Sequence, residues 1–419
     1  MNRKEFLGIG MLAFPALAAS ALKPIPPLQP SDHAPDNEHF WQSIRSQFPL
    51  GTATTYFNTG SMGASPYSVI DAVYQKSLTI NSKAEYGGGD HEAMAAIARF
   101  VGVDIDEIAL THNVTEGNNL VAQGLPLKGG DEVIMSMHEH VGGALPWLNR
   151  AKHDGIVIKV VQLGITGTET LANIEKSITA KTKALALPHI ACTTGQVLPA
   201  KDIATLAKSR GIYSCFDGAH GPGMLSLDLH DIGCDFYSSC CHKWMLGPKG
   251  TGFLYVKKEK LEELKPIMVG ASSETGWDML SSPPMIKGYS PSAHRFYYGT
   301  QSAELYAGIE ATVRFHETLG KKAVENRVRY LANRLRHRLK ELGDNVQLLT
   351  PEESSSRGAI TAFRLKNMTM HKFQESAGKE KFSIRTIPEN NVNCIRISTH
   401  IYNQLEEIDR FADLVKRSV

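Results

Sequence analysis

Four stretches of this 419-residue chain hold side chains that can do chemistry together, and one of them presents a lysine where an amine can be made reactive. His242 and Lys243 follow the run Asp235 to Cys241 and precede Gly247, Pro248 and Gly250, so the pair stands where an apolar strand gives way to a turn. An amine attacks a carbonyl only when it is partly deprotonated, and a crowded, partly buried strand end can lower a lysine pKa. Asp217 lies 26 residues earlier (243 − 217), at the end of the run Gly211 to Asp217, and is followed by Gly218, Ala219, His220 and Gly221. That interval holds one crossover and one strand, which sets carboxylate and lysine on neighbouring strand ends. Gly218 reads as a point where a ligand approaches the backbone. Leu110 to Asn119 turns from strand to helix near Val114 and Thr115, where a hydroxyl and free backbone N–H groups suit a phosphate. Ser136 to His140 ends another strand, and His140 can stack on a planar ring and exchange protons near neutral pH.

The elements that must position these residues alternate along the chain. Strand patterns at 108–111, 132–136, 156–162, 184–188, 211–217, 234–239 and 252–256 are interleaved with helical patterns at 116–124, 141–153 and 201–209. Such alternation predicts an α/β fold with a mainly parallel sheet covered on both faces and ligands at the carboxyl ends of its strands. Residues 257–299 read as irregular. Residues 301–342 read as one long helical run with a solvated arginine-rich face, and strands near 346–349, 359–365, 382–386 and 394–398 with a closing helix at 403–417 predict a smaller α+β domain. The expected organisation is an export signal at 1–21, a proline-rich linker at 22–38, an N-terminal segment with the large domain at 39–299, and the small domain at 300–419.

Lysine and arginine total 45 against 43 acidic residues, a formal net charge of +2, so no global field selects nucleic acid or an anionic membrane. Small-molecule chemistry is the remaining default. The six cysteines sit mostly in apolar runs and are expected to be free thiols. No segment is long enough for an integral membrane span. No metal ligand set is assigned. Arg3 and Lys4 before the apolar run Phe6 to Ala19 resemble a twin-arginine signal with lysine at the second basic position. This implies export, to the periplasm, and a cytoplasmic location if the signal does not function.

A lysine, a carboxylate one unit earlier and an upstream phosphate-cradling helix are what pyridoxal 5'-phosphate requires: a Schiff-base amine, a partner for the pyridine nitrogen, and a phosphate site. The set Asp217-Gly218-Ala219-His220, Cys234-Asp235-Phe236-Tyr237 and His242-Lys243 before Gly247-Pro248 resembles the class V, fold-type I aminotransferases. That family includes cysteine desulfurases, kynureninase and isopenicillin N epimerase, and the resemblance covers nearly the whole chain after residue 40. It implies the pyridoxal phosphate-dependent transferase fold type I, with Lys243 as the Schiff-base lysine and Asp217 as partner of the pyridine nitrogen. It implies phosphate contacts from Thr115, the Val114 backbone and His242, stacking of His140 on the ring, and His220 beside the ring oxygen. Thr300 is similar to a threonine that reaches the phosphate of the other subunit, which implies a homodimer with a shared site. Arg396, with Tyr402 and Asn403 beyond it, resembles the carboxylate-binding segment, and Ser61 in the turn Thr59 to Gly63 is assigned with it to the substrate.

Departures from the family pattern fall at Cys192, where many relatives carry asparagine, and at Cys240, where they carry a phosphate-binding serine; both keep size and weaken hydrogen bonding. The desulfurases carry a nucleophilic cysteine on a longer loop, which the short connection from Thr386 to Asn393 lacks, and Cys394 reads as a core residue. The resemblance points to the isopenicillin N epimerase-like branch, acting at the Cα of an amino substrate that bears a carboxylate. Lys243 would remove the Cα proton, and epimerisation, transamination and β-elimination stay open as outcomes. Epimerisation needs a second acid or base on the face that His140 covers, which counts against a simple two-base scheme. The alternatives are an exported enzyme that tailors a peptide-derived metabolite by transamination or oxidation, a cysteine desulfurase or selenocysteine lyase, and a non-catalytic binding protein on the same fold.

Overall fold

Neighbouring residues of one strand go to opposite cores, which is why the central strands read as near-continuous apolar runs. The structure, a computed structural model, describes residues 34–419. The export-signal reading at 1–21 and the linker up to residue 33 lie outside the described residues. After the short β1 (Thr55–Tyr56), the chain lays down β2 (Ile108–Thr111), β3 (Glu132–Ser136), β4 (Val157–Val161), β5 (Thr182–Pro188), β6 (Tyr213–Asp217), β7 (Phe236–Cys240) and β8 (Gly252–Val256). β2 to β8 form one seven-stranded sheet in the order β2-β8-β7-β6-β5-β3-β4, parallel throughout except for β8, which runs against both of its neighbours. In β3, Ile134 goes to a core shared with Ile97, Phe100, Ala204 and Ile309, while Val133 and Met135 go to one shared with Leu120, Val121 and Trp147. The expected α/β fold with a mainly parallel, doubly covered sheet is present.

The segment read as irregular contains a hairpin, β9 (Glu274–Asp278) and β10 (Met285–Tyr289). Its strands are short and largely exposed, so they lack the apolar periodicity of a core strand. The helical run at 301–342 is two helices, Ala303–Leu319 and Lys321–Lys340, broken at Gly320, where φ is +83°. The helices Asp90–Val101, Gly167–Ser177 and Met370–Lys379 had no counterpart in the sequence reading.

The C-terminal part builds a four-stranded antiparallel sheet in the order β11-β12-β15-β14, from β11 (Val346–Leu348), β12 (Ile360–Leu365), β14 (Arg385–Ile387) and β15 (Cys394–Ser398). The intervening β13 (Phe382–Ser383) pairs in parallel with β1, and Asn58 bridges to Ser398. A segment that precedes the large sheet in sequence is thereby laid against the small one.

The arginine-rich helix corrects the expectation of a solvated face. Arg327 and Arg336 are buried. Arg327 donates to the carbonyls of Pro35 (2.8 Å) and Asn403 (2.9 Å) and forks onto Glu38, and Arg336 donates to the carbonyls of Gly358 and Ile360. A guanidinium is buried at tolerable cost only when most of its donors are satisfied, and here backbone carbonyls, together with the Glu38 carboxylate for Arg327, satisfy the Nη groups. Arg334 and Arg338 pair with Asp409. Among the described residues, no helix is long and apolar enough to cross a membrane.

Candidate active site

The carboxyl ends of β2, β7, β6, β5 and β3 lie along one edge of the sheet, because β8 reverses twice and restores the direction of β2. Val114 and Thr115 follow β2, His242 and Lys243 follow β7, Asp217 ends β6 and His220 follows it, Cys192 follows β5, and His140 follows β3. β6 and β7 pair directly, with Asp217 opposite Ser238, so the carboxylate and the lysine leave adjacent strand ends as their spacing predicted.

Lys243 is 8% exposed, on a loop held by backbone contacts. Gly63 N donates to His242 O (2.8 Å), Gly247 N to Cys241 O (2.7 Å) and Leu246 N to Lys243 O (3.3 Å). The turn at Gly63 packs so closely that a Cβ there would stand 2.0 Å from Lys243 O. Leu246 adopts φ +62° with its side chain fully buried, which fixes the far end of the loop. His242 Nδ1 is buried with no partner among the described residues. Burial first, and then the Lys243 charge, pushes the His242 imidazole below its usual range.

Asp217 is gripped from both sides. Its Oδ2 accepts from Asn118 Nδ2 (3.0 Å), and its Oδ1 from the Ala219 N–H (3.0 Å). Asn118 escaped the sequence reading, although it lies three residues beyond Thr115 and so shares its helix face. Gly218 does not open toward a ligand as expected. A Cβ there would lie 1.8 Å from Tyr237 Cε1, and one at Gly221 2.0 Å from the Tyr237 hydroxyl. These glycines make room for a buried tyrosine whose hydroxyl bonds His189 Nδ1 (2.8 Å).

Glu139, also missed, is buried beside Asp217. Its Oε1 accepts from Ser136 N (3.1 Å) and Ser136 Oγ (2.7 Å), and a Cβ on Gly143 would lie 3.0 Å from Asp217 Oδ2 and 3.4 Å from Glu139 Oε2. Burial, with the Asp217 charge adding to it, raises the Glu139 carboxyl to about 8. A raised carboxyl contributes its full stability below the unfolded value of about 4.3 and loses it as pH rises through the folded value. The thermal midpoint of the natural chain should therefore fall relative to Glu139→Gln between pH 5 and 8.5. An unchanging gap between the two curves over that range would contradict a buried neutral Glu139.

His140 caps the helix Val141–Asp154, with Nδ1 accepting from Gly142 N (3.1 Å). Burial, followed by the Lys243 charge, lowers its pKa. A Cβ on Gly142 would stand 2.4 Å from Thr115 Oγ1, so this helix and the helix Val114–Gly124 begin against each other. His220 is buried, and its Nδ1 accepts the indole N–H of Trp244 (2.9 Å). Burial, then the Lys243 and Arg396 charges, hold it well below the usual histidine range.

On the opposite wall, Arg396 Nη1 donates to Cys192 O (2.8 Å) and Nη2 to Ser61 Oγ (3.0 Å), while its Nε is buried without a partner among the described residues. Burial brings the guanidinium down to about 10, which leaves it charged at neutral pH. Arg385 stands directly opposite Arg396 in the strand register and carries Glu389 as its counter-charge. The thiols of Cys192 and Cys240 are each pushed up to about 11 by burial. Cys240 packs with Val114 and Ala219, and Cys192 Sγ faces His138 O (3.9 Å). Cys394 is buried against Thr193 O (3.8 Å) and raised to about 12. Thr300 is not gathered with the others. It is exposed and lines a separate cavity with Tyr86, Asp90 and Tyr306.

A family model described as Aminotransferase class-V matches residues 76–411. An isopenicillin N epimerase of Streptomyces clavuligerus is 31% identical over 390 residues, covering 89% of this chain and 97% of that protein. A probable cysteine desulfurase of Pyrococcus abyssi (strain GE5 / Orsay) is 26% identical over 402 residues, covering 90% and 97%. Among solved structures, the cystine C–S lyase C-DES in complex with its reaction product cysteine persulfide superposes with a TM-score of 0.80 at 25% identity, covering 88% of this chain and 99% of that one. A C-DES variant with glycine covalently linked to its PLP cofactor gives a TM-score of 0.81 at 25% identity, covering 88% and 98%.

Proposed function

Because this chain belongs to the class-V aminotransferase family, we propose that it is a pyridoxal 5'-phosphate enzyme acting at the Cα of an amino substrate that bears a carboxylate, closest in kind to isopenicillin N epimerase. The observation that carries this reading is the pairing of β6 with β7, which sets a doubly held Asp217 beside a buried Lys243. The surrounding residues fit the cofactor. The unpartnered His242 Nδ1 and the N–H groups that open the helix at Val114 and Thr115 would hold its phosphate. Asp217 would face its ring nitrogen, His140 its ring face and His220 its ring oxygen.

When bound, the cofactor supplies an electron sink for a carbanion at Cα. The residues do the rest. The Lys243 amine takes the Cα proton at Nζ and can return it. The Asp217 carboxylate keeps a proton on the facing ring nitrogen, and its two hydrogen bonds stop it from turning away. Arg396 holds the substrate carboxylate by its charge, while Ser61 and Cys192 O orient its two Nη groups.

Cys394, buried and far above neutral in pKa, gives the desulfurase reading little support. The chain acts as a homodimer in which Thr300 of one copy reaches the phosphate site of the other. The exposure of Thr300, and of Trp277, Met279 and Leu280 on the β9–β10 hairpin, supports a covered face there. Export by the Arg3-Lys4 signal belongs to the same proposal.

The test incubates purified holoenzyme with candidate amino acids in deuterated water. Cα exchange without keto-acid release is the expected result, and inversion alongside it would require a second acid or base on the opposite face. Keto-acid release would move the assignment to transamination or elimination, and a chain that takes up no pyridoxal phosphate would end the reading altogether.

A further inference from the structure

We propose that Trp244 is a positioning residue that donates its indole N–H to His220 Nδ1, so that His220 enters the site with its proton fixed on Nε2, as a hydrogen-bond donor only. Indole nitrogen donates and cannot accept, so at 2.9 Å the Nδ1 of His220 must carry the lone pair. A neutral ring then has its single proton on Nε2. His220 is 4% exposed and stands among Lys243, Arg396, His140 and Arg385, which disfavour a second proton. Nε2 makes no hydrogen bond among the described residues. That N–H is free to meet an oxygen brought in by a ligand.

Trp244 is itself placed by the segment that carries the substrate arginine. Its carbonyl bonds His400 Nε2 (3.0 Å), and its ring lies 5.5 Å from the His400 ring at a tilt of 30°. From the other side, a Cβ on Gly223 would meet the Trp244 carbonyl at 2.3 Å. The indole is thus fixed between the loop after β6 and the segment after Arg396. An imidazole free to choose its tautomer would offer either a donor or a lone pair to the ring oxygen, and only the donor favours that oxygen as an anion. Trp244 removes the choice.

The proposal rests on the cofactor reading for the identity of that oxygen, but the tautomer is a property of the protein alone. Two measurements separate them. In cofactor-free protein labelled with ¹⁵N-histidine, the His220 signal, identified by its loss in His220→Gln, should show a neutral ring protonated at Nε2 from pH 6 to 9. In Trp244→Phe it should show mixed tautomers or a titrating ring. A natural chain with the proton on Nδ1 would overturn the proposal whatever the cofactor reading.

In holoenzyme, Trp244→Phe should shift the pH midpoint of the visible cofactor band by about one unit, the size of one hydrogen bond to a charged group. In a His220→Gln background, where an amide has no tautomer to lose, the same substitution should shift it no further. A shift of equal size in both backgrounds would mean that Trp244 acts only through packing. Loss of the band in every variant with an intact natural-chain ¹⁵N signal would count against the cofactor reading and leave the tautomer standing.

Discussion

Lys243→Ala should yield folded protein that has lost its borohydride-bleachable visible band and about 10⁴-fold of its turnover, the upper range for removal of a positioned general base. The fold should survive, because the loop is held through main-chain atoms: Gly63 N on His242 O, Gly247 N on Cys241 O and the buried, left-handed Leu246. None of these involves the lysine side chain. The lost function would thus report the amine itself rather than a collapsed loop. Peptide mapping by mass spectrometry after borohydride treatment checks it directly: the natural chain should gain a reduced pyridoxyl adduct on the peptide containing Lys243, and the Ala variant none. Turnover within tenfold of the natural chain, or an adduct on another lysine, would remove Lys243 from its role.

What the sequence made visible was chemistry placed by strand ends. Asp217 and Lys243 belong to elements whose apolar runs are unmistakable, and the order of those elements fixes which ends adjoin. Ser61 and Arg396 are separated by 335 residues, and no periodicity joins them; the bridge from Asn58 to Ser398, on the strand that carries Arg396, supplies the reason they meet. Residues that act by holding another side chain left no such trace. Trp244 looks like a core aromatic and is one, fully buried, yet its single polar atom fixes the state of a histidine. Asn118 and Glu139 sit one helical turn and one residue away from residues that were singled out. Asp217, which Asn118 bonds and Glu139 adjoins, comes from a distant strand, so neither neighbourhood reveals them. Gly218 and Arg327 show the converse error. A small residue near a site need not face the ligand, and a basic helix need not face water, when a tyrosine ring or a set of carbonyls already occupies the space.

Asp217→Asn should cost about 10³-fold in kcat with a much smaller change in KM, since a charge that stabilises a developing state, rather than substrate binding, is what is removed. The substitution is more disruptive than its size suggests. Both oxygens of Asp217 accept hydrogen bonds, one from the Asn118 amide and one from the Ala219 N–H, so an Asn side chain in either orientation turns its own NH₂ against a donor. Asn118→Ala separates the two effects, because it keeps the charge and removes one support. Its loss should be about tenfold, in line with one hydrogen bond of roughly 1.4 kcal/mol. If kcat of Asp217→Asn stays within threefold of the natural chain, the carboxylate is not what keeps the facing ring nitrogen protonated. If Asn118→Ala proves as damaging as Asp217→Asn, orientation rather than charge is what the pair supplies, and the weight of the mechanism moves from the aspartate to the helix that holds it.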